Sequence, residues 1–178
     1  MRRKTTLPES RVPNPESFSG REARRAGAVQ YKIPVSVLVV IHTPELDVLL
    51  LERADRPGFW QSVTGSQDLG ETLAQTAVRE IREETGLDAL QYGLTDWKKE
   101  NRYEIFQQWR ARYAPGVMHN VEHVFSVRVP GRVPIALAPK EHLRHQWLPW
   151  RKAAEAVFSW SNADAIRELP ARTGAGPG

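Results

Sequence analysis

The sequence predicts a mixed α/β domain, and three observations predict it. Strand-like apolar runs come first, one helix with three- and four-residue apolar spacing follows them, and short helices close the chain. This order is not a regular βαβ repeat. A length of 178 residues suits one domain, and a body of about 150 residues buries roughly 70% of its unfolded surface, enough for a core without covalent staples.

The elements follow in order. Residues 1–30 carry Pro8, Pro13 and Pro15 among Ser, Gly and Arg without apolar periodicity, and are expected to form a disordered basic arm. IPVSVLVVIH (33–42) is β-branched and apolar enough for a buried strand, and DVLLLER (47–53) is a second strand across a short turn, which suggests a hairpin. WQSVTGS (60–66) reads as a short strand running into a turn. From Glu71 to Thr85, Leu73, Ala74, Ala77, Val78 and Ile81 define a helix, with Gly86 at its C-terminal cap. Further strands are expected at 89–97, 102–112, 121–129 and 145–149. Arg151–Phe158 and Ser161–Leu169 read as short helices, the second capped by Ser161 and stopped by Pro170. The domain is thus expected to span 31–170, with 171–178 a flexible tail.

Charge narrows the function classes. The net charge is +4, but residues 1–30 hold seven basic groups against three acids, and residues 31–178 hold 18 of each sign. The basic average belongs to the arm, so it is weak evidence for a fold built to bind nucleic acid, and no specific nucleic acid is expected as partner. The absence of cysteine excludes disulfides, a thiol nucleophile and thiolate zinc sites, and fits a cytoplasmic location. The most apolar stretch, Val35–Ile41, is far short of the ~20 residues that span a bilayer. The N-terminus lacks the apolar run of a secretory signal, so no membrane association is expected. The five histidines show no HxxH or HExxH spacing, which predicts neither a zinc site nor a histidine nucleophile.

The chemistry lies in 65–87. Glu80, Glu83 and Glu84 fall at i, i+3 and i+4, on one helix face, where three carboxylates repel unless a cation joins them. Hard oxygen ligands at this spacing suit Mg²⁺ or Mn²⁺, which take few protein carboxylates and complete their shell with water and phosphate oxygens. The competing reading is an ordinary solvated helix of mixed charge, with Arg79 and Glu83 as a routine i, i+4 pair. Against it stands the whole pattern: Gly65, five residues, Glu71, seven residues, Arg79-Glu80-Ile81, one residue, Glu83-Glu84, one residue, Gly86-Leu87. This segment resembles the Nudix box at all nine specified positions, a chance match on the order of one in a billion per window.

The resemblance implies a mixed β-sheet sandwiched between helices and a divalent-metal-dependent hydrolysis of a diphosphate linkage. It implies that Glu80 and Glu84 bind metal, that Glu83 binds metal or activates water, that Arg79 orients the glutamates and that Glu71 braces the helix. Outside the box, Tyr31-Lys32, FWQSVTGS (59–66), YEIF (103–106), RYAPGV (112–117), Glu122-His123, Glu141-His142-Leu143 and SWSN (159–162) resemble the bacterial dihydroneopterin triphosphate diphosphatases of folate synthesis, over about residues 31–168. That narrower resemblance implies substrate contacts from Lys32, Arg53, Thr64, Tyr103, Glu104, Ile105, Phe106 and Ser159, with Lys32 and Arg53 meeting phosphate charge. It also implies that Glu141 is a third metal-binding carboxylate or the general base. Trp60 and Trp160 are assigned to packing.

The leading expectation is an Mg²⁺-dependent hydrolase (Mn²⁺ as the substitute) acting on a small polyphosphate, dihydroneopterin triphosphate. The alternative is a broader (d)NTP pyrophosphohydrolase, for example one acting on dATP. A third reading, a catalytically inactive module whose arm binds an acidic partner, conflicts with the intact glutamates. Oligomeric state is not legible.

Overall fold

The computed structural model describes residues 31–174; the expected basic arm at 1–30 and the last residues of the expected tail, 175–178, lie outside the described residues. Seven strands form one sheet: β1 (Val35–His42), β2 (Asp47–Arg53), β3 (Trp60–Gln61), β4 (Val63–Ser66), β5 (Leu94–Glu104), β6 (His119–Arg128) and β7 (His142–Pro149). Four helices accompany it: α1 (Leu73–Thr85), the single turn α2 (Ala89–Tyr92), α3 (Trp150–Ala156) and α4 (Trp160–Thr173).

β1 is the organising strand. It runs parallel to β6 from Val35↔Val121 to His42↔Arg128, and antiparallel to β4 from Val39↔Val63 to Ser36↔Ser66. The expected β1–β2 hairpin pairs only at His42↔Val48, because β2 turns away to pair with β3 and β7. The period-two alternation of a strand then sends β1 side chains to two cores. Val37, Val39 and Ile41 pack with Ala77 and Ile81 of α1, while Leu38 and Val40 pack with Ala165, Ile166 and Leu169 of α4. A run that is apolar on both faces is what a strand covered on both faces requires, and the result is the expected sheet between helices.

α1 begins at Leu73, with Thr72 as N-cap. The Thr72 hydroxyl accepts from Gln75 N at 3.2 Å, and the Gln75 amide accepts from Thr72 N at 2.8 Å, a reciprocal box that satisfies two orphan donors. Gly86 ends the helix with φ 72°, and a Cβ there would sit 2.9 Å from Cβ of Ala136.

Four expectations are corrected. Residues 89–92 form a helical turn, capped by Asp88 Oδ1 accepting from Leu90 N at 3.1 Å, so β5 starts at Leu94. The strand expected over 102–112 stops at Glu104, and 107–112 form a 3₁₀ turn. Ser159, not Ser161, caps α4: its hydroxyl accepts from Asn162 N at 3.3 Å. Pro170 does not stop α4, which runs to Thr173. Its ring falls in the last turns of the helix, where the Thr173 hydroxyl donates to the carbonyls of Leu169 and Pro170, so 171–173 are helical rather than frayed.

Candidate active site

The acidic helix face is built around Arg79. Its Nε donates to Glu71 Oε1 at 2.7 Å and its Nη2 to Glu71 Oε2 at 2.9 Å, a bidentate pair. Nη1 reaches Glu80 Oε1 at 2.7 Å and Glu83 Oε2 at 3.2 Å, and Nη2 also donates to the Ser66 carbonyl at 3.0 Å. Glu71 is held further by the Thr76 hydroxyl at 2.9 Å and the Asp68 amide at 3.2 Å. Arg79 therefore ties the loop before α1 to the carboxylates on it. The Arg79 guanidinium holds the Glu71 carboxyl down at about 2.

Glu80 and Glu84 point inward and are buried, whereas Glu83 is exposed. Burial, then the neighbouring Glu84 charge, pushes the Glu80 carboxyl up to about 7, with Arg79 opposing. Burial likewise raises Glu84, with His142 opposing.

His142 is the residue that spacing alone missed. It enters at the start of β7, placed opposite Arg53 by the β2–β7 register. Its Nε2 lies 3.3 Å from Glu84 Oε2. Neither ring nitrogen, nor that carboxylate oxygen, has a hydrogen-bond partner among the described residues. Glu84, Glu141 and His142 each present one ligand atom, and these atoms lie within 4.8 Å of one another. Orphaned, buried polar atoms on Glu84 and His142, with the exposed Glu141 carboxylate beside them, fit a divalent cation, since such buried atoms are costly without a partner. Glu80 stands outside this trio, and its Oε1 accepts from Arg79 Nη1. The Glu141 loop is fixed by Ala54 N donating to the Glu141 carbonyl at 2.8 Å.

Beside this centre opens a cleft of about 740 Å³, lined by Lys32, Arg53, Thr64, Glu84, Tyr103, Glu104, Phe106, Glu141 and Ser159 among others. Seven of the eight expected substrate contacts thus share one cleft. Ile105 does not. Its side chain is buried, its N–H donates to Met118 O at 2.8 Å and its carbonyl accepts from Arg110 Nε at 3.1 Å, so alternation along the chain turns it into the core.

The others carry defined partners. Lys32 Nζ donates to Ser66 Oγ at 3.4 Å. Arg53 is bidentate to Asp55, at 2.8 Å for both contacts, and donates to Gln61 Oε1 at 3.0 Å. Two of its five N–H groups remain for a ligand. Gln61 Nε2 in turn donates to Thr64 Oγ1 at 3.2 Å. Glu104 is ion-paired with Arg110.

Tyr103 OH accepts from Asn120 Nδ2 at 3.1 Å, and burial pushes the phenol up to about 12, so it stays protonated. Phe106 is half exposed and meets Trp109 edge-on, with ring centroids 5.2 Å apart. The Arg53 guanidinium sits 5.2 Å from the Trp109 centroid. Trp109 belongs to the stretch expected to be a strand, and only the 3₁₀ turn brings it to the cleft.

A NUDIX domain model matches residues 32–169. The dihydroneopterin triphosphate diphosphatase of Escherichia coli (strain K12) is 45% identical over 142 residues, 78% of this chain and 93% of that protein. The Haemophilus influenzae protein of the same name is 42% identical over 144 residues, 79% of this chain and 89% of that one. The structure of the E. coli dihydroneopterin triphosphate pyrophosphohydrolase superposes with a TM-score of 0.74 at 44% identity, covering 80% of this chain and 98% of that one. A MutT protein from Methanosarcina mazei Go1, 19% identical, shares the fold at a TM-score of 0.60 over 82% of this chain and 98% of its own. With its acidic helix complete and the match running across the whole sheet, the chain belongs to the NUDIX domain family.

Proposed function

We infer that this protein hydrolyses dihydroneopterin triphosphate, with water as co-substrate, to dihydroneopterin monophosphate and pyrophosphate. The observation that carries the reading is the 45% identity across 93% of the E. coli diphosphatase, together with a cleft whose described lining residues all fall within the matched domain, 32–169. Glu84 and Glu141 would hold a divalent cation, Mg²⁺ by the chemistry of hard oxygen ligands, with His142 beside them and Glu80 as the further carboxylate. Such a cation neutralises polyphosphate charge, polarises the attacked phosphorus and lowers the pKa of a bound water.

The chain's own groups supply the rest. Arg79 and Glu71 hold α1 in register with β4 at Gly65 and Ser66. Lys32 and the free N–H groups of Arg53 meet phosphate oxygens. Phe106 and Trp109 form an aromatic wall for the face of a flat heterocycle. An exposed carboxylate, Glu83 on α1 or Glu141 at the cleft, accepts the proton of the attacking water. No described helix is long and apolar enough to cross a membrane, and a chain without cysteine supports the cytoplasm as the working compartment.

The test is a substrate panel of dihydroneopterin triphosphate, the dNTPs and ADP-ribose, with and without Mg²⁺, scored for pyrophosphate against orthophosphate. Highest kcat/KM on the pterin with pyrophosphate release is expected. Dominant cleavage of ADP-ribose would overturn the substrate while leaving the family.

A further inference from the structure

The cleft has a deep end that the phosphate chemistry does not use. It is floored by Ser36 of β1 and by Asn120 and Glu122 of β6, with Ser161 of α4 beside them. Asn120 is 1% exposed and Glu122 5% exposed. Two residues apart on one strand, they face the same side about 7 Å from each other.

Asn120 spends both amide hydrogens, on Ser36 Oγ at 2.7 Å and Tyr103 OH at 3.1 Å. Its Oδ1 is buried with no hydrogen-bond partner among the described residues. Glu122 is met by Asn101 Nδ2 at 3.4 Å and by the Ser161 hydroxyl, both of them neutral. A carboxylate can accept about four hydrogen bonds. Burying one against two neutral donors is costly, and a position needed only for packing would be served better by an apolar side chain. Burial raises the Glu122 carboxyl accordingly. One acceptor without a donor and a carboxylate with room for more, buried at the end of a cleft that Lys32 and Arg53 also line, call for a ligand group that brings N–H donors.

We propose that Glu122 and Asn120 select the substrate by its heterocycle edge, the Glu122 carboxylate accepting the ring N–H and one amino N–H of a 2-amino-4-oxo heterocycle and Asn120 Oδ1 accepting the second amino N–H. This rests on the pterin triphosphate reading and deepens it. A pterin and a guanine both offer those three donors side by side. Removing the amino group leaves buried acceptors unpaired, which is how such sites discriminate strongly.

The experiment compares kcat/KM of the full-length wild-type protein and Glu122→Gln on dihydroneopterin triphosphate, dGTP and dITP, the last lacking only the 2-amino group, with melting temperature as a check on folding. In the wild type, dGTP is expected to exceed dITP by about tenfold or more. In E122Q that ratio collapses toward one, and the pterin substrate loses a similar factor. Equal loss on all three substrates, or an unchanged dGTP/dITP ratio, would overturn the assignment. If E122Q fails to fold, a wild-type ratio near one overturns it without the variant. Should the wild type ignore the pterin yet show the dGTP/dITP ratio, the pterin reading fails and the edge selection stands.

Discussion

The α-carbon of Gly65 lies against the carboxylate of Glu80. A Cβ on Gly65 would sit 1.8 Å from both Cδ and Oε1 of Glu80. The first residue of the Nudix box therefore makes room for one of its carboxylates, through the packing of strand β4 against α1. In Gly65→Ala the Glu80 carboxylate must move by an ångström or more. Displacements of that size cost about 100-fold in rate. The expected outcome is loss of turnover and of Mn²⁺ affinity by titration, with a melting temperature that still reports a folded domain.

Glu84 illustrates the cost in stability of a buried carboxylate. It is buried, and burial raises its carboxyl. Glu84→Gln removes that buried charge at constant shape, so without metal the variant should melt at a higher temperature than the wild type. Its turnover at saturating Mg²⁺ should fall by about 100-fold or more. Wild-type turnover in E84Q would exclude a metal-binding role for this residue.

The Glu71–Arg79 pair predicts acid sensitivity. The Glu71 carboxyl, at about 2 in the folded protein, lies below its ordinary 4.5. The folded state therefore prefers the ionised form. That contribution is complete above about pH 4.5 and is lost as pH falls through about 2. Denaturant melts of wild type and Glu71→Gln should differ most near neutrality and converge as pH falls through this window.

Glu80 predicts the opposite linkage for metal. Burial pushes its carboxyl up to about 7, and a cation must displace whatever proton it holds. Mg²⁺ affinity should rise as pH increases through about 7. Calorimetry in buffers of different ionisation enthalpy should record more proton release near pH 6.5 than near pH 8.5.

Residues 1–30 carry the whole net charge of the chain, whereas the cleft residues named above all belong to the body from Lys32 onward. A chain starting at Tyr31 should retain nearly full turnover on the same substrate panel. A collapse in activity would place the arm in the site.

Periodicity carried the fold a long way. The run Val35–Ile41, apolar on both faces, could only be a strand covered on both sides, and the spacing of Leu73, Ala77 and Ile81 required a helix with one buried face. It failed where local capping overruled apolar content. Asp88 turned 89–92 into helix, and the 3₁₀ turn after Glu104 replaced half of an expected strand. The same turn put Trp109 on the cleft, beyond the reach of any linear pattern.

By itself the sequence determined the helix that carries the carboxylates, because i, i+3 and i+4 positions share a face whatever the fold around them. It also determined the reaction class, because the Nudix box is local: its nine positions lie within 23 consecutive residues. Tertiary structure decided what those carboxylates meet. His142 joins Glu84 only because the β2–β7 register brings a residue 58 positions away against α1. Asn120 and Glu122 reach the floor of the cleft only because β6 lies parallel to β1 and turns one face toward α4. Chemistry written in local spacing was legible in the chain; selectivity, built from residues far apart in sequence, depended on strand register, which no local pattern encodes.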